Sequence, residues 1–469
     1  MKNHVHSLLM AHSRVSRIGH LANCAILILV LIALMAPVFA QVRKLTAQTE
    51  SGNAAPGGSV APLTLTFQDA LERARRNDPG YRSAVTELGL AGEDGVQARA
   101  GLLPSLNYNN SFIYTEGTGF PSKESSKFIA NNGVHEYVSQ ADVHQSVSLA
   151  GFADYRRSQA ALAQARAKAE IAARGLVVVV TEAYYGLVVT QRKYATAQRA
   201  ASEAARFLDI SLKLEGGGEV AHSDVIRARI QSQQQQRDLQ EAQLDMARSR
   251  LDLAVLLFSD FNQDFTVVDD LQTPEPLPGF AEVETSGRKN NPELRAALAA
   301  YEAANHEVSA AWGGLLPALS VDYLYGIDAN RFAVRTDGVR NLGYSTVATL
   351  QIPVFSWGAD RSKLKQAELR RDQARVELTY AQRQLLSHLR QFYNEAETAR
   401  SEMESLASSA EIAAESLRLI TLRYQAGESS VLEVVDAQNT LTQSRNADDD
   451  GQSRYRIAVA NLQTLTGPF

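Results

Sequence analysis

Gly101-Leu102-Leu103-Pro104-Ser105-Leu106 returns later in the chain as Gly314-Leu315-Leu316-Pro317-Ala318-Leu319. Upstream of the first copy stands Asn77-Asp78-Pro79, and upstream of the second Asn290-Asn291-Pro292. Both pieces recur at one offset, 292 − 79 = 213 and 317 − 104 = 213. A period that long is far beyond a solenoid unit and marks two similar halves that must pack as pseudo-equivalents. In each copy a proline ends a helical pattern, and directly after it the apolar period drops from 3.6 to 2.

Working outward, the first half reads as a broken helix, two strands and a long helical hairpin. Leu106, Tyr108, Phe112 and Tyr114 alternate with Ser105, Asn107, Asn109 and Ser111, which predicts a strand over about 105–115. A polar segment, Gly117 to Glu136, precedes a second strand over about 138–149. There Ala141, Val143, Val147 and Leu149 face one way, and Asp142, His144, Ser146 and Ser148 the other. The chain then turns rich in Ala, Gln and Arg, with no proline until Pro274. A helix over about 153–214 would be ~90 Å long at 1.5 Å per residue. Gly216-Gly217-Gly218 forms its tip, about 215–219, and a return helix runs from about Ser223 to Phe258.

The second half repeats the plan, with strands over about 318–327 and 344–355 and a hairpin tip at about 425–429 around Gly427. Leu319, Val321, Tyr323 and Tyr325 line one face of the first strand, and Ala348, Leu350, Ile352 and Val354 one face of the next. The organisation is a first repeat over 63–261, a proline-bearing linker over 262–280 and a second repeat over 281–469. This makes four strands in all. Four strands cannot close a barrel, and open edges are not tolerated in lipid, so closure requires several chains. Two chains would give eight strands and a filled interior; three would give twelve, wide enough for water. Apolar and tyrosine side chains outward with small polar ones inward fit a membrane barrel. A soluble sandwich with one wet face shows the same alternation, but very long Ala-rich helices do not suit it.

The bulk numbers agree. With 469 residues, 45% hydrophobic and 21% charged, the chain can bury a large core. Length alone suggests about three domains, whereas the duplication argues for one body of two halves. A net charge of −5 does not support a broad nucleic-acid footprint. Lys2, Arg14 and Arg17 precede an apolar run from Ala25 to Leu34, and Val38-Phe39-Ala40 supplies small residues for cleavage. Residues 1–40 are therefore expected to be a signal peptide, followed by a flexible leader over 41–62. The single cysteine, Cys24, precedes the apolar run, so lipidation is not expected and the mature chain carries no thiol. Beyond Ala40 no apolar run approaches the ~20 residues of a spanning helix, so any membrane crossing falls to the strands.

Glu433 and Asp436 are spaced i,i+3 and share a helix face near the second hairpin turn. Several copies around an axis would form carboxylate rings, the arrangement of cation-selective constrictions. A solvated helix face is the plainer reading of these residues taken alone. Gly216 to Ala221 formally fits G-x-G-x-x-A but follows a helix rather than a strand, which excludes a dinucleotide site. His135-Glu136 and His306-Glu307 lack the second histidine of a zinc-protease motif. No catalytic motif, metal site or cofactor is expected.

From about Leu63 to its end the chain resembles the TolC-like outer-membrane efflux proteins of Gram-negative bacteria. The duplicated segments above carry the resemblance, together with Arg423-Tyr424-x-x-Gly427-x-x-x-x-Leu432-x-x-x-Asp436-Ala437-Gln438-x-x-Leu441. A weaker counterpart spans Lys213 to Arg229 and includes Ser223-Asp224-Val225. The resemblance implies an α+β membrane protein, a homotrimer with a twelve-stranded outer-membrane β-barrel and a periplasmic α-helical barrel. It implies a passive exit duct working with a periplasmic adaptor and an inner-membrane transporter. It implies that Glu433 and Asp436 line the periplasmic entrance, although glutamate stands at 433 where aspartate is common in the family. It implies that the tips at Lys213, Gly217, Arg423 and Gly427 meet the adaptor. It gives Leu106, Tyr108, Phe112, Tyr114, Leu319, Val321, Tyr323 and Tyr325 to the lipid face. The competing reading is a periplasmic adaptor, which would carry one hairpin interrupting compact β domains.

Overall fold

The structure is a computed structural model that describes residues 63–114, 135–272, 276–329, 332–336 and 338–468. The signal peptide and leader expected over 1–62, Cys24, the loop between the first two strands, Pro274 and the side chain of Tyr114 lie outside the described residues. The elements are β1 (Leu63–Leu65), α1 (Phe67–Asn77), α2 (Pro79–Ala100), β2 (Ser105–Tyr114), β3 (His135–Val147), α3 (Leu149–Gly216), α4 (His222–Leu257) and β4 (Phe265–Val267). The second half supplies α5 (Phe280–Asn290), α6 (Pro292–Gly313), β5 (Ala318–Ala329), β6 (Arg335–Thr336), β7 (Val339–Arg340), β8 (Leu342–Gln351), α7 (Ala359–Gln425) and α8 (Val431–Thr466).

Local chemistry places the breaks. Thr66 caps α1 in a reciprocal box with Asp69, their mutual bonds measuring 3.2 and 3.1 Å. Asp78 ends α1 and caps α2, accepting from the Tyr81 amide at 2.6 Å, with Pro79 at the first helical position. Asn291 and Pro292 do the same between α5 and α6, with Leu294 donating at 2.7 Å. The backbone angles at Asp78 and Asn291 are identical, φ −66° and ψ 121°, so the duplicated sequence is a duplicated joint.

β2, β3, β5 and β8 form one antiparallel sheet in that order. β2 and β8 are its edges, with their outer backbone groups unpaired among the described residues. From the sheet, α3 runs 68 residues and α7 runs 67, each ~100 Å at 1.5 Å per residue. Buried Ala153, Ala160 and Ala167 in α3, and Ala367 and Ala374 in α7, recur every seven residues. That spacing keeps a small-residue seam on one side of a long helix, as in a coiled coil.

The largest core joins α1, α3, α4, β1 and β4 through Leu65, Leu71, Val180, Tyr184, Leu253 and Phe265. Smaller cores join α5, α7 and α8 around Val283, Leu389 and Leu462, and clamp both hairpins together near their tips. α3 also holds an 18-residue stretch of mean hydropathy 1.5, apolar enough by composition to cross a membrane, 39% of it buried in the fold. A stretch of that hydropathy is not apparent in the sequence, because polar residues interrupt every long apolar run. In the fold the apolar Leu176, Val180, Leu187 and Val188 of α3 are core residues.

Several boundaries differ from expectation. The chain does not hold only four strands: β1 pairs in parallel with β4, and β6 with β7. β3 stops at Val147, because the Ser148 hydroxyl accepts from the Gly151 amide at 3.1 Å and starts α3 there. Leu149 is therefore helical rather than a strand residue. β8 ends at Gln351, before Pro353, so Ile352 and Val354 leave the ladder.

Candidate functional site

The sheet separates two chemistries. In antiparallel pairs, residues directly opposite each other project to the same face. Leu106, Tyr108 and Phe112 lie opposite Val143, Ala141 and Tyr137. Val143 and Ala141 in turn lie opposite Tyr323 and Tyr325, which face Thr346 and Tyr344. Leu319 and Val321 continue that face beside Leu350 and Ala348. Leu106 is 73% exposed, Tyr108 67% and Tyr344 75%, so nothing in the protomer covers it. Ring pairs Phe112–Tyr137 (4.6 Å) and Tyr323–Tyr344 (6.2 Å) stiffen it across strands. Its polar groups satisfy each other: Ser139 donates to Asn110 at 2.7 Å and takes the Tyr108 hydroxyl at 2.8 Å.

The reverse face carries Asn107, Asn109, Asp142, His144, Asp322 and Ser345. His144 Nδ1 meets Asp322 Oδ1 at 2.6 Å across β3 and β5. Alternation alone places Asp142 and His144 on this side, but it gives no sign of a partner for His144 178 residues away.

At the far ends of the hairpins the two tips share one closure. Gly218 (φ 77°) and Gly427 (φ 74°) take the left-handed conformation, and 427 − 218 = 209. Glu219 donates to the Leu214 carbonyl and Glu428 to that of Arg423, each at 2.9 Å. These are helix-ending bonds that a left-handed glycine makes possible. Gly217 itself is right-handed (φ −81°), so Gly218 rather than Gly217 is the turning residue. The register sets Leu214, not Lys213, opposite Arg423. Lys213 pairs back to Asp209 at 2.6 Å, whereas Arg423 donates to the Glu428 carbonyl at 3.1 Å.

The helices leaving the tips differ. Val225 and Ala228 match Val434 and Ala437 at the same 209-residue offset, all four buried. Asp224 then matches Glu433, and Arg227 matches Asp436, a reversal of charge. α8 starts with a full capping box in which Ser430 and Glu433 bond reciprocally. Glu433 also accepts from the Ser429 hydroxyl at 2.8 Å. α4 starts at Ala221 with no side-chain cap. The Ser429 hydroxyl, followed by the Ser430 amide and hydroxyl, holds the Glu433 carboxyl below the usual glutamate value. Asp436, one turn on, is exposed and has no side-chain partner among the described residues. Glu433 and Asp436 thus share a face, one committed to the backbone and the other free. The box was legible as the S-x-x-E of Ser430 to Glu433, a signal the sequence reading passed over.

Midway along the hairpins the halves are braced together. Arg192 on α3 binds Asp269 at 2.6 and 2.7 Å, and Asp449 and Gln452 on α8 at 3.1 and 3.0 Å. Tyr184 donates to the Val268 carbonyl at 2.8 Å, and burial pushes its hydroxyl pKa up to about 12. Nearer the sheet, Arg174 donates to the Thr464 carbonyl at 3.0 Å.

Comparison with known proteins places this geometry. The sequence profile described as outer membrane efflux protein matches residues 286–468, most of the second repeat. The outer membrane protein TolC of Escherichia coli (strain K12) is 23% identical over 88% of this chain and 84% of its own length. Over most of its length the chain is similar to the TolC-like outer-membrane efflux proteins. The proteases secretion protein PrtF of Dickeya chrysanthemi is 24% identical, covering 88% of this chain and 89% of its own. In fold, the Campylobacter jejuni CmeC outer membrane channel superposes with a TM-score of 0.72, at 18% identity over 86% of this chain and 85% of that one. The similarity thus spans both repeats, and the solved channel shares the fold.

Proposed function

We propose that the protein is the outer-membrane exit duct of a tripartite efflux pump or type I secretion system, assembled as a homotrimer. One observation carries this reading: a four-stranded sheet, apolar on one face and open at both edges, grows out of two ~100 Å hairpins. Ten residues of β2 span ~33 Å, and a tilt of roughly 40° brings that to ~25 Å, the height of a barrel's apolar band. Twelve strands ~4.8 Å apart at that tilt give a wall ~24 Å across between backbones, against ~16 Å for eight. Only the larger leaves an aqueous lumen once side chains are added. The reverse face of the sheet, with Asn109, Asp142 and Ser345, would line that lumen.

The hairpins then reach into the periplasm, and the tips stand at the entrance. Asp436 supplies an unengaged carboxylate to a ring there, and Glu433 divides its charge between that ring and the α8 cap. Arg423, Gly427, Lys213 and Gly217 would meet a periplasmic adaptor, behind which an inner-membrane transporter supplies energy. An adaptor of its own kind would need one hairpin between compact β domains, whereas this chain has two hairpins on one sheet. Cysteines scanned in pairs, one on β2 from Asn107 to Ser111 and one on β8 from Ser345 to Thr349, test the assembly. Oxidation should yield a covalent trimer that conducts in planar bilayers. A monomer that stays water-soluble and never conducts would sink the reading.

A further inference from the structure

We propose that the groove between the start of α3 and the end of α6 is a phospholipid site, with the lipid phosphate held by Arg156 and His306. The proposal rests on the membrane reading above. The groove measures about 490 Å³, and Leu149, Phe152, Trp312 and Leu316 supply its apolar walls. Leu149 and Phe152 are 59% and 50% exposed and Trp312 is 55% exposed, and the groove gathers them into one patch rather than leaving them scattered singly. Its floor is a close crossing, where a Cβ on Gly313 would fall within 2.8 Å of the Ala150 Cα.

Three observations select lipid as the occupant. The first is continuity: α3 follows β3 after a single capping residue, and α6 leads into β5. Val147, the last residue of β3, belongs to the apolar face and pairs with Leu319. The groove therefore prolongs that face beyond the strand ends. The second is position. β3 and β5 are the inner strands of the sheet, so the groove lies away from the edges where other copies must pair. Assembly leaves it open.

The third is charge at a matching depth. Arg156 is seven residues into α3 beyond Leu149, ~10 Å down the axis. Helical side chains lean toward the helix N-terminus, here toward the sheet. The headgroup layer extends ~5–8 Å beyond the hydrocarbon on each side, so the guanidinium reaches phosphate level. Arg156 is exposed and has no ion-pair partner among the described residues, while its neighbour Arg157 pairs with Asp154 at 3.2 Å. His306, on α6 across the groove, adds a ring donor. The chain's two tryptophans, Trp312 and Trp357, both stand at this junction of sheet and helices, where amphipathic rings anchor to a membrane interface.

Native mass spectrometry of the detergent-purified trimer titrated with phosphatidylglycerol tests the site. We expect up to three retained lipids per trimer. Arg156→Ala should weaken retention about tenfold, since a charge-assisted bond to phosphate is lost. Trp312→Ala should weaken it as well, and Arg157→Ala should not. Equal retention in Arg156→Ala and Arg157→Ala would overturn the proposal, as would displacement of the lipid by millimolar inorganic phosphate, which would make the groove a free-anion site. Conductance of the same preparations separates the two readings. A conducting wild type with Arg156-independent lipid binding sinks the site alone, and a wild type that neither trimerises nor conducts sinks the duct.

Discussion

Arginine placed at two adjacent residues of β8 should give opposite results. Thr346 lies opposite Tyr323 on the apolar face, near the middle of the strand, and Ser345 lies opposite Leu324 on the polar face. Because side chains alternate with a period of two, moving one residue moves the charge from lipid to lumen. An arginine on the lipid face at mid-bilayer costs about 2–4 kcal/mol. Three copies bring Thr346→Arg to ~6–12 kcal/mol per trimer, comparable to the whole stability of a typical domain. Ser345→Arg keeps its guanidinium in water and should cost ~0.5 kcal/mol or less per copy. Urea unfolding of the protein in phospholipid vesicles, followed by intrinsic fluorescence, measures the difference. Single-channel recording adds a second readout, because Ser345→Arg sets three new positive charges in the lumen and should lower cation preference. Equal destabilisation by the two substitutions, or the greater loss in Ser345→Arg, would refute the assignment of faces and with it the barrel.

Glu433→Ala combined with Asp436→Ala should raise conductance and weaken block by multivalent cations; unchanged block would remove the pair from the constriction. Glu433→Ala alone should also loosen the tip locally through loss of the capping box. The Glu433 carboxyl titrates below its ordinary 4.5, so its stabilisation is complete above that value and is lost as pH falls through the lowered one. Hydrogen exchange at the α8 tip, corrected for intrinsic rates, should show protection at neutral pH that Glu433→Ala lacks, with the two converging in acid. Gly427→Ala forces a left-handed alanine and should cost about 1 kcal/mol, whereas Gly217→Ala, at a right-handed position, should cost less; thermal unfolding compares them. Tyr184→Phe leaves the Val268 carbonyl without its hydroxyl donor, while the Leu65 carbonyl keeps the Val268 amide, and should lower stability by about 1–3 kcal/mol in chemical denaturation.

The sheet was readable because its signal is local. Leu106 to Phe112 and Leu319 to Tyr325 alternate over enough residues to define a face without knowledge of the partner strand. The long helices were readable because nothing in Ala153 to Leu214 breaks them. β1 and β4 were not, since Leu63–Leu65 and Phe265–Val267 are three residues each and pair only with each other, 202 positions apart. A parallel bridge of that kind is a tertiary event with no local period to announce it. The same holds for Arg192, whose partners Asp269 and Asp449 come from a linker and a helix of the other half. Gly218 could not be singled out within the Gly216 to Gly218 tip because three consecutive glycines offer the same conformational freedom, and only the Glu219–Leu214 bond selects among them. Glu433 was read for its charge alone, when Ser430 three residues earlier also gave it a structural duty.

The two bare edges of the sheet tie membrane entry to partnership. A solitary protomer in hydrocarbon would expose the unpaired amides of both β2 and β8, each unsatisfied group costing several kcal/mol. On the trimer proposed above, no stepwise route would let one chain insert and wait for the others, so insertion and oligomerisation would collapse into one event whose rate depends on protomer concentration. The arrangement also makes every copy answerable for its neighbours. In a three-fold ring drawn from equal pools of intact and edge-damaged chains, only about one assembly in eight is wholly intact. A damaged allele would then act dominantly, at the level of the assembled wall rather than of the single chain.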